Sequence, residues 1–416
     1  MSLEYSNHNI GPCLAHEDFP QDLTGPEKAL SPLCTECSKH LFYQYRPLPR
    51  EDCIRLLWLL PGEDERPVSC RLLSVPLENA PSYEALSYVW GDPTNTVEII
   101  CSQRRLSITA NLRDAVRRFR YKNECRVLWA DAICIDRQNI EEHGKQVQLM
   151  GMIYWKSDRV LVWLGQNIAE NDRLINVEEA FAWMCESNMI FKAKEEACGD
   201  AKEVPPVASD DIAGFTELEV DRWEAVSILL CSPWFRRVQE IGLAAEALVI
   251  CGDAEIEAAE LLDFYLWVMG SGQALYNHFF IHLTQQTVWY EYWLATRPEY
   301  KTVEGKSTKL SFIEILAFAR HLEATDPRDH VFAFLGYPAA LQFPLGHEAT
   351  ADMDYGSTIF LSTKPLIQPD YTKSLGEIYT EFAVKIFEAT NNLDLLSYII
   401  HFENSIEESI PSWVPR

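Results

Sequence analysis

Between residues 83 and 165 the hydrophobic pattern changes its period several times, and each change predicts a new element. Apolar positions that alternate or run without a break, bounded by Gly, Pro or an acidic residue, are typical of strands. Apolar positions three and four residues apart are typical of helices. The elements predicted in this way are strands at 83–92, 126–131 and 159–165, a helix capped by Thr109, and a helix over 141–155. Strands and helices that alternate at this spacing build an α/β fold whose doubly wound, mainly parallel sheet holds ligands beyond the carboxyl ends of its strands.

Outside this stretch the pattern predicts additions to the sheet. Two β-hairpins are expected, one from 54–60 with 68–75 and one from 97–101 with 105–108. The acidic segment 166–222 is interrupted by Gly and Pro, which indicates an insertion that is partly helical around 177–184. We divide the chain into a variable Cys- and His-containing arm at 1–44, an α/β core at 45–253 that includes this insertion, and a helical C-terminal part at 254–416.

Composition narrows the class of protein. The 416 residues carry a formal net charge of −26, so nucleic acid and anionic membranes would repel the chain and are not expected partners. No apolar run approaches the ~20 residues of a membrane span, and the first residues lack the pattern of a signal peptide. We therefore expect a cytoplasmic protein whose 12 cysteines are mostly reduced.

Candidate ligand-binding residues follow the predicted strands. They are Trp90, Gly91, Asp92, Asp131, Asp136 and Gln138. In a functional interpretation the acidic residues line the ligand crevice, and Trp90 offers an aromatic ring to a ligand. In a structural interpretation Trp90 belongs to the core and Gly91 to a turn, while Asp131 caps a loop and Asp136 caps the following helix by accepting backbone N–H groups. The two interpretations stay open for Asp131, whereas a capping role is favoured for Asp136.

Several of these segments carry a family resemblance. The blocks are YEALSYVWGDP at 83–93, ITANLRDAVRRFR at 108–120, LWADAICIDRQNIEEHGKQVQLMGMIY at 128–154, RVLVWLG at 159–165, SPWFRRVQEIGLA at 232–244, ATDPRDHVFAFLGY at 324–337, PDYTKSLGEIY at 369–379 and PSWVP at 411–415. In this order they resemble the heterokaryon incompatibility (HET) domain of filamentous fungi. The resemblance implies a cell-death effector triggered by recognition of non-self. It also implies a core remotely similar to Toll/interleukin receptor (TIR) and flavodoxin-like domains, and some TIR domains cleave NAD.

The resemblance implies a catalytic role for Glu240. Residues 232–245 are similar to the TIR helix whose Trp-containing motif, here with Trp234, ends in the catalytic glutamate. The resemblance therefore adds Trp234 to the candidate ligand-binding residues. Ser232 and Pro233 are suitable for a helix start, so we expect a helix from Trp234 to Ala247. In the structural interpretation Glu240 is an exposed carboxylate that pairs with an arginine one turn earlier. This chain also lacks three residues, Trp-Val-Ile, that HET domains usually have before the Gln-Glu of this motif.

Two functions are compatible with these residues. One is hydrolysis of the N-glycosidic bond of NAD or a related nucleotide, in which a single carboxylate stabilises the oxocarbenium-like transition state and no cofactor is required. The other is a non-catalytic death adaptor that self-associates on activation and contacts an incompatibility partner protein. The missing turn before Glu240 favours the adaptor, whereas the retained Gln-Glu and the acidic residues at the strand ends favour the enzyme.

Three further groups of residues invite interpretation. Cys13, His16, Cys34, Cys37 and His40 include metal-ligand types, but their spacing favours free thiols over a structural zinc site. Glu142, His143 and Gln146 are expected on an exposed helix face, with a ligand role equally open. The segments 324–330 and 369–371 are expected to anchor the helical part against the sheet.

Overall fold

The computed structural model describes residues 42–63, 66–170, 173–198, 205–236, 246–279, 312–320, 322–335, 366–391, 393–399 and 414. The strands are β1 (Cys53–Leu59), β2 (Ser69–Pro76), β3 (Glu84–Tyr88), β4 (Thr96–Cys101), β5 (Arg104–Thr109), β6 (Arg126–Trp129), β7 (Val160–Gly165), β8 (Ala169–Glu170), β9 (Arg173–Leu174), β10 (Ala247–Cys251) and β11 (Ala254–Glu257). The helices are α1 (Ala110–Arg118), α2 (Asp131–Cys134), α3 (Ile140–Lys156), α4 (Val177–Cys198), α5 (Ser209–Ala213), α6 (Glu217–Leu230), α7 (Ala258–Gly270), α8 (Gln273–Phe279), α9 (Phe312–Ala319), α10 (Asp329–Phe332) and α11 (Leu375–Thr390). Short 3₁₀ turns lie at Leu77–Asn79, Pro233–Arg236 and Asp394–Tyr398.

Within these residues, the main sheet has the strand order β11-β10-β7-β3-β6-β1-β2-β4-β5. Its four middle strands, β10, β7, β3 and β6, run parallel. Read from β6 to β10 and counted along the chain, they have the order 2-1-3-4. In flavodoxin-like sheets this order places the ligand crevice between the first and third strands, at their carboxyl ends. Those strands are β3 and β7 here, so the predicted α/β class is confirmed and its crevice is located.

Helices cover both faces of the parallel strands. Tyr154 of α3 packs edge-on against Trp129 of β6, with ring centroids 5.6 Å apart. Phe119, at the end of α1, packs against Trp163 of β7 at 5.9 Å. Trp129 and Trp163 each pair with a residue of β3, and these two β3 residues are an odd number of positions apart. Side chains alternate between the two faces along a strand, so the two Trp side chains point to opposite faces of the sheet. The sheet is therefore doubly wound, with α1 on one face and α3 on the other.

Both predicted hairpins are present and extend the sheet. The strands β1 and β2 pair antiparallel, and β1 also pairs with β6, which joins this hairpin to the parallel strands. The strands β4 and β5 pair antiparallel around Ser102 and Gln103, whose φ angles are 47° and 68°. The predicted cap of α1 is also confirmed, because the Thr109 side chain accepts a hydrogen bond from the Leu112 N–H.

Three sequence-based expectations differ from the structure. The helix expected from Trp234 to Ala247 is wrong at both described ends, because Pro233–Arg236 is a 3₁₀ turn and Ala247 opens β10. The helix in the insertion is longer than expected and runs to Cys198. The part after residue 253 begins with the strand β11 before its helices start. Among the described residues, no helix is both long and apolar enough to cross a membrane.

Candidate functional site

The side chain of Asp131 organises the carboxyl ends of β3 and β6. Asp131 follows β6 directly, and its Oδ1 accepts hydrogen bonds from the Tyr88 hydroxyl (3.0 Å) and the Ala132 N–H (2.7 Å). Its Oδ2 accepts hydrogen bonds from Trp90 Nε1 (3.1 Å) and Arg137 Nη2 (2.9 Å). Four hydrogen bonds use the full acceptor capacity of a carboxylate. We call Tyr88, Trp90, Asp131 and Arg137 the strand-end cluster.

Arg137 also stacks on an aromatic ring of this cluster. Its guanidinium carbon lies 3.5 Å from the Trp90 ring centroid, a close cation–π contact. Its side chain is 32% exposed, whereas that of Asp131 is 14% exposed. The guanidinium is therefore partly exposed at the edge of the site, while its Nε–H is a buried donor that no described residue accepts.

Asn111, in the first turn of α1, ties β3 to β7 at the crevice. Its Nδ2 donates to the Val89 carbonyl oxygen at 2.6 Å, and its Oδ1 accepts from Trp163 Nε1 at 3.0 Å. Gly91 follows with a φ of 73°, in the left-handed region that favours glycine. The turn after β3 is thus fixed on both sides, which sets the position of Trp90.

The other strand-end candidates have local roles. Asp92 is exposed and accepts hydrogen bonds from the backbone N–H and hydroxyl of Thr94, which lower the pKa of its carboxyl group. Asp136 accepts from the Gln138 N–H at 3.1 Å. The prediction that it caps the following helix is wrong, because Asn139 caps α3 by accepting from the Glu142 N–H at 3.2 Å. The Gln138 side chain itself is exposed.

Trp234 contacts β3 from the other side. Its indole Nε1 donates to the Ser87 hydroxyl at 3.1 Å, and both residues are buried. Ser87 and Tyr88 are successive strand residues, so their side chains point to opposite faces of the sheet. Trp234 therefore supports β3 from the face opposite to Tyr88.

The expectation that Glu142 and Gln146 lie on an exposed helix face is wrong. Glu142 forms a buried two-point ion pair with Arg55 of β1, at 2.5 Å and 2.9 Å. The Asp136 N–H donates to Glu142 Oε1 at 2.9 Å, and Gln146 Nε2 donates to the Cys53 carbonyl oxygen at 2.9 Å. A buried carboxylate requires a paired cation, and Arg55 of β1 supplies it. This face of α3 can therefore pack against the sheet. The pair also fixes the loop that carries Arg137.

Two segments of the C-terminal part join this site. Tyr371 stacks on His143 of α3 with ring centroids 4.3 Å apart, and its hydroxyl donates to Asp329 Oδ1 at 2.6 Å. Arg328 lies 5.1 Å from the Tyr371 ring centroid and forms a two-point pair with Asp326 at 2.9 Å and 2.6 Å. We call Asp326, Arg328, Asp329 and Tyr371 the C-terminal wall. The expected anchoring of 324–330 and 369–371 is thus present, and it lies next to the candidate site.

Burial changes the pKa values in this region. Burial raises the pKa of Asp329 to about 6, although the hydrogen bond from Tyr371 acts in the opposite direction. Burial also lowers the pKa of His143, and the nearby charge of Arg137 lowers it further. At neutral pH the site therefore holds an uncharged imidazole and a carboxyl group that titrates near neutrality. Perturbed groups of this kind are common at functional sites.

Sequence reasoning did not include Tyr88, Arg137, Asp329 or Tyr371 among the candidate site residues. Tyr88 and Arg137 flank residues that it did include, so their proximity was a usable signal. Asp329 and Tyr371 are distant in sequence from β3 and β6, and hydrophobic periodicity carries no information on that contact. Glu240 lies outside the described residues, as do Cys13, His16, Cys34, Cys37 and His40.

Comparison with known proteins places this geometry in a family. Residues 83–239 match the family model described as heterokaryon incompatibility protein (HET). Over these residues the chain is similar to HET domains. It is 36% identical over 139 residues to "Heterokaryon incompatibility protein 6, OR allele" of Neurospora crassa, a match that covers 30% of this chain and 20% of that protein. The match thus spans about a fifth of the relative's length, and no solved structure matches the chain. The strand-end cluster lies inside the HET domain, whereas the C-terminal wall lies beyond its matched range.

Proposed function

We propose that this protein is a fungal cell-death effector of heterokaryon incompatibility, and that the carboxyl edge of its sheet binds NAD or a related nucleotide and hydrolyses its N-glycosidic bond. The incompatibility role is supported by the HET domain and by the name of the Neurospora relative. The nucleotide and the reaction are inferred from the resemblance to TIR domains and from the chemistry at the strand ends.

The observation that carries the proposal is the strand-end cluster at the carboxyl ends of β3 and β6, beside the crevice that β3 forms with β7. Trp90 supplies an aromatic ring, Arg137 supplies a partly exposed guanidinium stacked on it, and Asp131 accepts a hydrogen bond from each. An aromatic ring and a guanidinium suit the base and the phosphates of a dinucleotide. The position agrees with the general rule that open α/β sheets bind ligands beyond their carboxyl ends.

The proposed hydrolysis consumes one water molecule for each NAD. Water attacks the anomeric carbon of the ribose, the bond to the nicotinamide nitrogen breaks, and ADP-ribose, nicotinamide and one proton are the products. Because nicotinamide leaves as a neutral group, the main requirement is a negative charge beside the oxocarbenium-like ribose. Asp131 already accepts four hydrogen bonds and has no acceptor capacity left. We therefore assign the negative charge beside the ribose to Glu240, which matches the catalytic glutamate of TIR domains, and we assign ligand positioning to Asp131.

The direct test is incubation of the purified protein with NAD while nicotinamide and ADP-ribose are separated and quantified. Equimolar release of both above the rate in heat-denatured protein is the expected result. Absence of release at high protein concentration would reject the enzyme. Light scattering on the same sample, with and without NAD, examines the self-association that either function requires on activation.

A non-catalytic adaptor is the second candidate. It is supported by the three residues that this chain lacks before Glu240 and by the saturation of Asp131, which resembles a structural centre more than a reactive group. In that case the HET domain assembles through its surfaces and recruits a partner protein. Assembly without nicotinamide release would favour the adaptor.

A further inference from the structure

Asp329 is a half-buried acid that lies beyond the HET match and yet beside the strand-end cluster. Its carboxylate accepts the Tyr371 hydroxyl at 2.6 Å, and Tyr371 stacks on His143 of α3. The charged groups around it are Asp326 and Arg328 from its own segment and Arg137 from the strand-end cluster. The hydrogen bond from Tyr371 does not by itself require an acid here, because an amide or hydroxyl oxygen would accept it equally well.

The acid is present at a cost in stability. The pKa of Asp329 in the folded protein is about 6, above the ordinary value of 3.8. A raised pKa means that the folded state binds the proton more tightly than the unfolded state. Stability contributed by Asp329 is therefore present at low pH and is lost as the pH rises from the ordinary value through about 6. At neutral pH the ionised form works against folding, and groups with this property are found mainly where function requires them.

We propose that Asp329 is a positioning residue of the strand-end cluster. Its charge, together with the hydrogen bond that it accepts from Tyr371, sets the orientation of Arg137. Asp329 contacts Tyr371, and the Tyr371 ring stacks on His143 near the start of α3. The loop that carries Arg137 directly precedes α3. Gly144 allows the close approach, since a Cβ there would lie 2.6 Å from the Pro369 carbonyl oxygen. The same carboxylate acts on Arg137 through its charge.

Ionisation of Asp329 makes the electrostatic potential at Arg137 more negative. It also makes the carboxylate a stronger acceptor for the hydrogen bond from the Tyr371 hydroxyl. Protonation weakens both. The orientation of Arg137, and any ligand that binds it, is then coupled to the protonation of Asp329, because a coupling between two sites acts in both directions. The assignment concerns the geometry of the site, and it rests on the proposed function only where activity is measured.

The test compares the full-length wild-type protein with Asp329→Asn, which keeps an acceptor and removes the charge. At pH 7.5 we expect Asp329→Asn to raise the thermal unfolding midpoint by about 2 °C or more. The difference should narrow as the pH falls from 7.5 to 5. Hydrogen exchange over 131–146, corrected for the intrinsic rate, should change across pH 6 in the wild type and not in this variant. A lower midpoint for Asp329→Asn at pH 7.5, or exchange that matches the wild type at every pH, would overturn the proposal.

A second pair of variants tests the route through Tyr371. Tyr371→Phe keeps the ring stack and removes the hydroxyl, so exchange over 131–146 should increase and lose its pH dependence. Tyr379→Phe is the matched control, because the Tyr379 hydroxyl donates to the Pro327 carbonyl oxygen at 3.1 Å without contacting Asp329. Equal effects of the two variants would contradict the route.

Activity provides a separate measurement. If the wild type releases nicotinamide, the rate should change with a midpoint near pH 6, and Asp329→Asn should remove that change. If the wild type releases none, the catalytic part of the proposed function fails, and the unfolding midpoints and hydrogen exchange decide the role of Asp329 by themselves.

Discussion

Asp131 and its four donors show how a single side chain fixes the geometry of the strand ends. Replacement by Asn leaves the Oδ1 contacts possible but turns an NH₂ group toward Trp90 Nε1 and Arg137 Nη2, which are both donors. Loss of hydrogen bonds to a charged group costs about 1.5–3 kcal/mol. We therefore expect Asp131→Asn to lower the free energy of unfolding in urea by about that amount.

Asp136→Asn is the matched control for this substitution. The Asp136 side chain accepts one local hydrogen bond, from the Gln138 N–H, and Asn can accept it as well. Its free energy of unfolding should stay within about 0.5 kcal/mol of the wild type. Equal losses for the two variants would mean that the cluster around Asp131 contributes little to the fold.

Glu240→Gln tests the assigned catalytic carboxylate. The substitution preserves size and helix propensity but removes the charge that stabilises the oxocarbenium-like state, so nicotinamide release should fall by at least ~100-fold. Stability should scarcely change if the side chain makes only a surface ion pair. Unchanged release would remove the assignment of Glu240.

Residue roles were only partly predictable from the sequence. Asp136 was expected to cap the following helix, but Asn139 is the cap of α3, and Asp136 forms only a local Asx turn with the Gln138 N–H. Glu142 was expected to be exposed, and it is buried, because its partner Arg55 lies on a strand that periodicity cannot pair with α3. Local chemistry is readable in one sequence, whereas the partner of a buried charge is set by the tertiary fold.

At the scale of elements, continuous apolar runs were the most reliable signal. The strands β6 and β7 were predicted because strands covered on both faces read as unbroken apolar segments. The same signal explains the error near Trp234. The helix start at Ser232 and Pro233 was extended to Ala247, although Ala247–Cys251 is itself an unbroken apolar run of the strand type.

Gly144 provides a test of how α3 meets the C-terminal part. Gly→Ala inside a helix usually stabilises a protein by about 0.5–1 kcal/mol. Here the new Cβ would lie 2.6 Å from a backbone oxygen of Pro369, so the two segments must separate. We expect Gly144→Ala to destabilise the protein by about 1 kcal/mol in urea unfolding, since overpacking costs about 1–3 kcal/mol. Hydrogen exchange over 366–374 should rise.

Gly270→Ala is the control for the helix-propensity effect. Gly270 ends α7, and a Cβ at this position meets nothing within 4 Å. The variant should be neutral or more stable than the wild type by up to about 1 kcal/mol. A stabilising effect of Gly144→Ala similar to that of Gly270→Ala would contradict the close contact with Pro369.

At the scale of the whole molecule, the candidate site draws on both the HET domain and the segments beyond it. The strand-end cluster comes from residues 88–137, and the C-terminal wall comes from residues 326–371. The division at residue 253 was inferred from a change in periodicity and stays a prediction. Contacts such as His143 with Tyr371 cross that division, so we expect the C-terminal part to be required for an ordered site.

The whole-molecule prediction concerns toxicity. If the strand-end site hydrolyses NAD, strong expression in a fungal host should arrest or kill the cells, because the reaction consumes a cofactor that the whole cell requires. Survival is measured by plating after induction, with protein levels matched by immunoblot. Glu240→Gln serves as the paired variant. Restored growth with Glu240→Gln would assign the toxicity to catalysis, whereas equal killing by both proteins would assign it to assembly through the surfaces of the HET domain. Normal growth at a confirmed high level of wild-type protein would contradict an autonomous effector of either kind, and the HET domain would then require a partner protein to act.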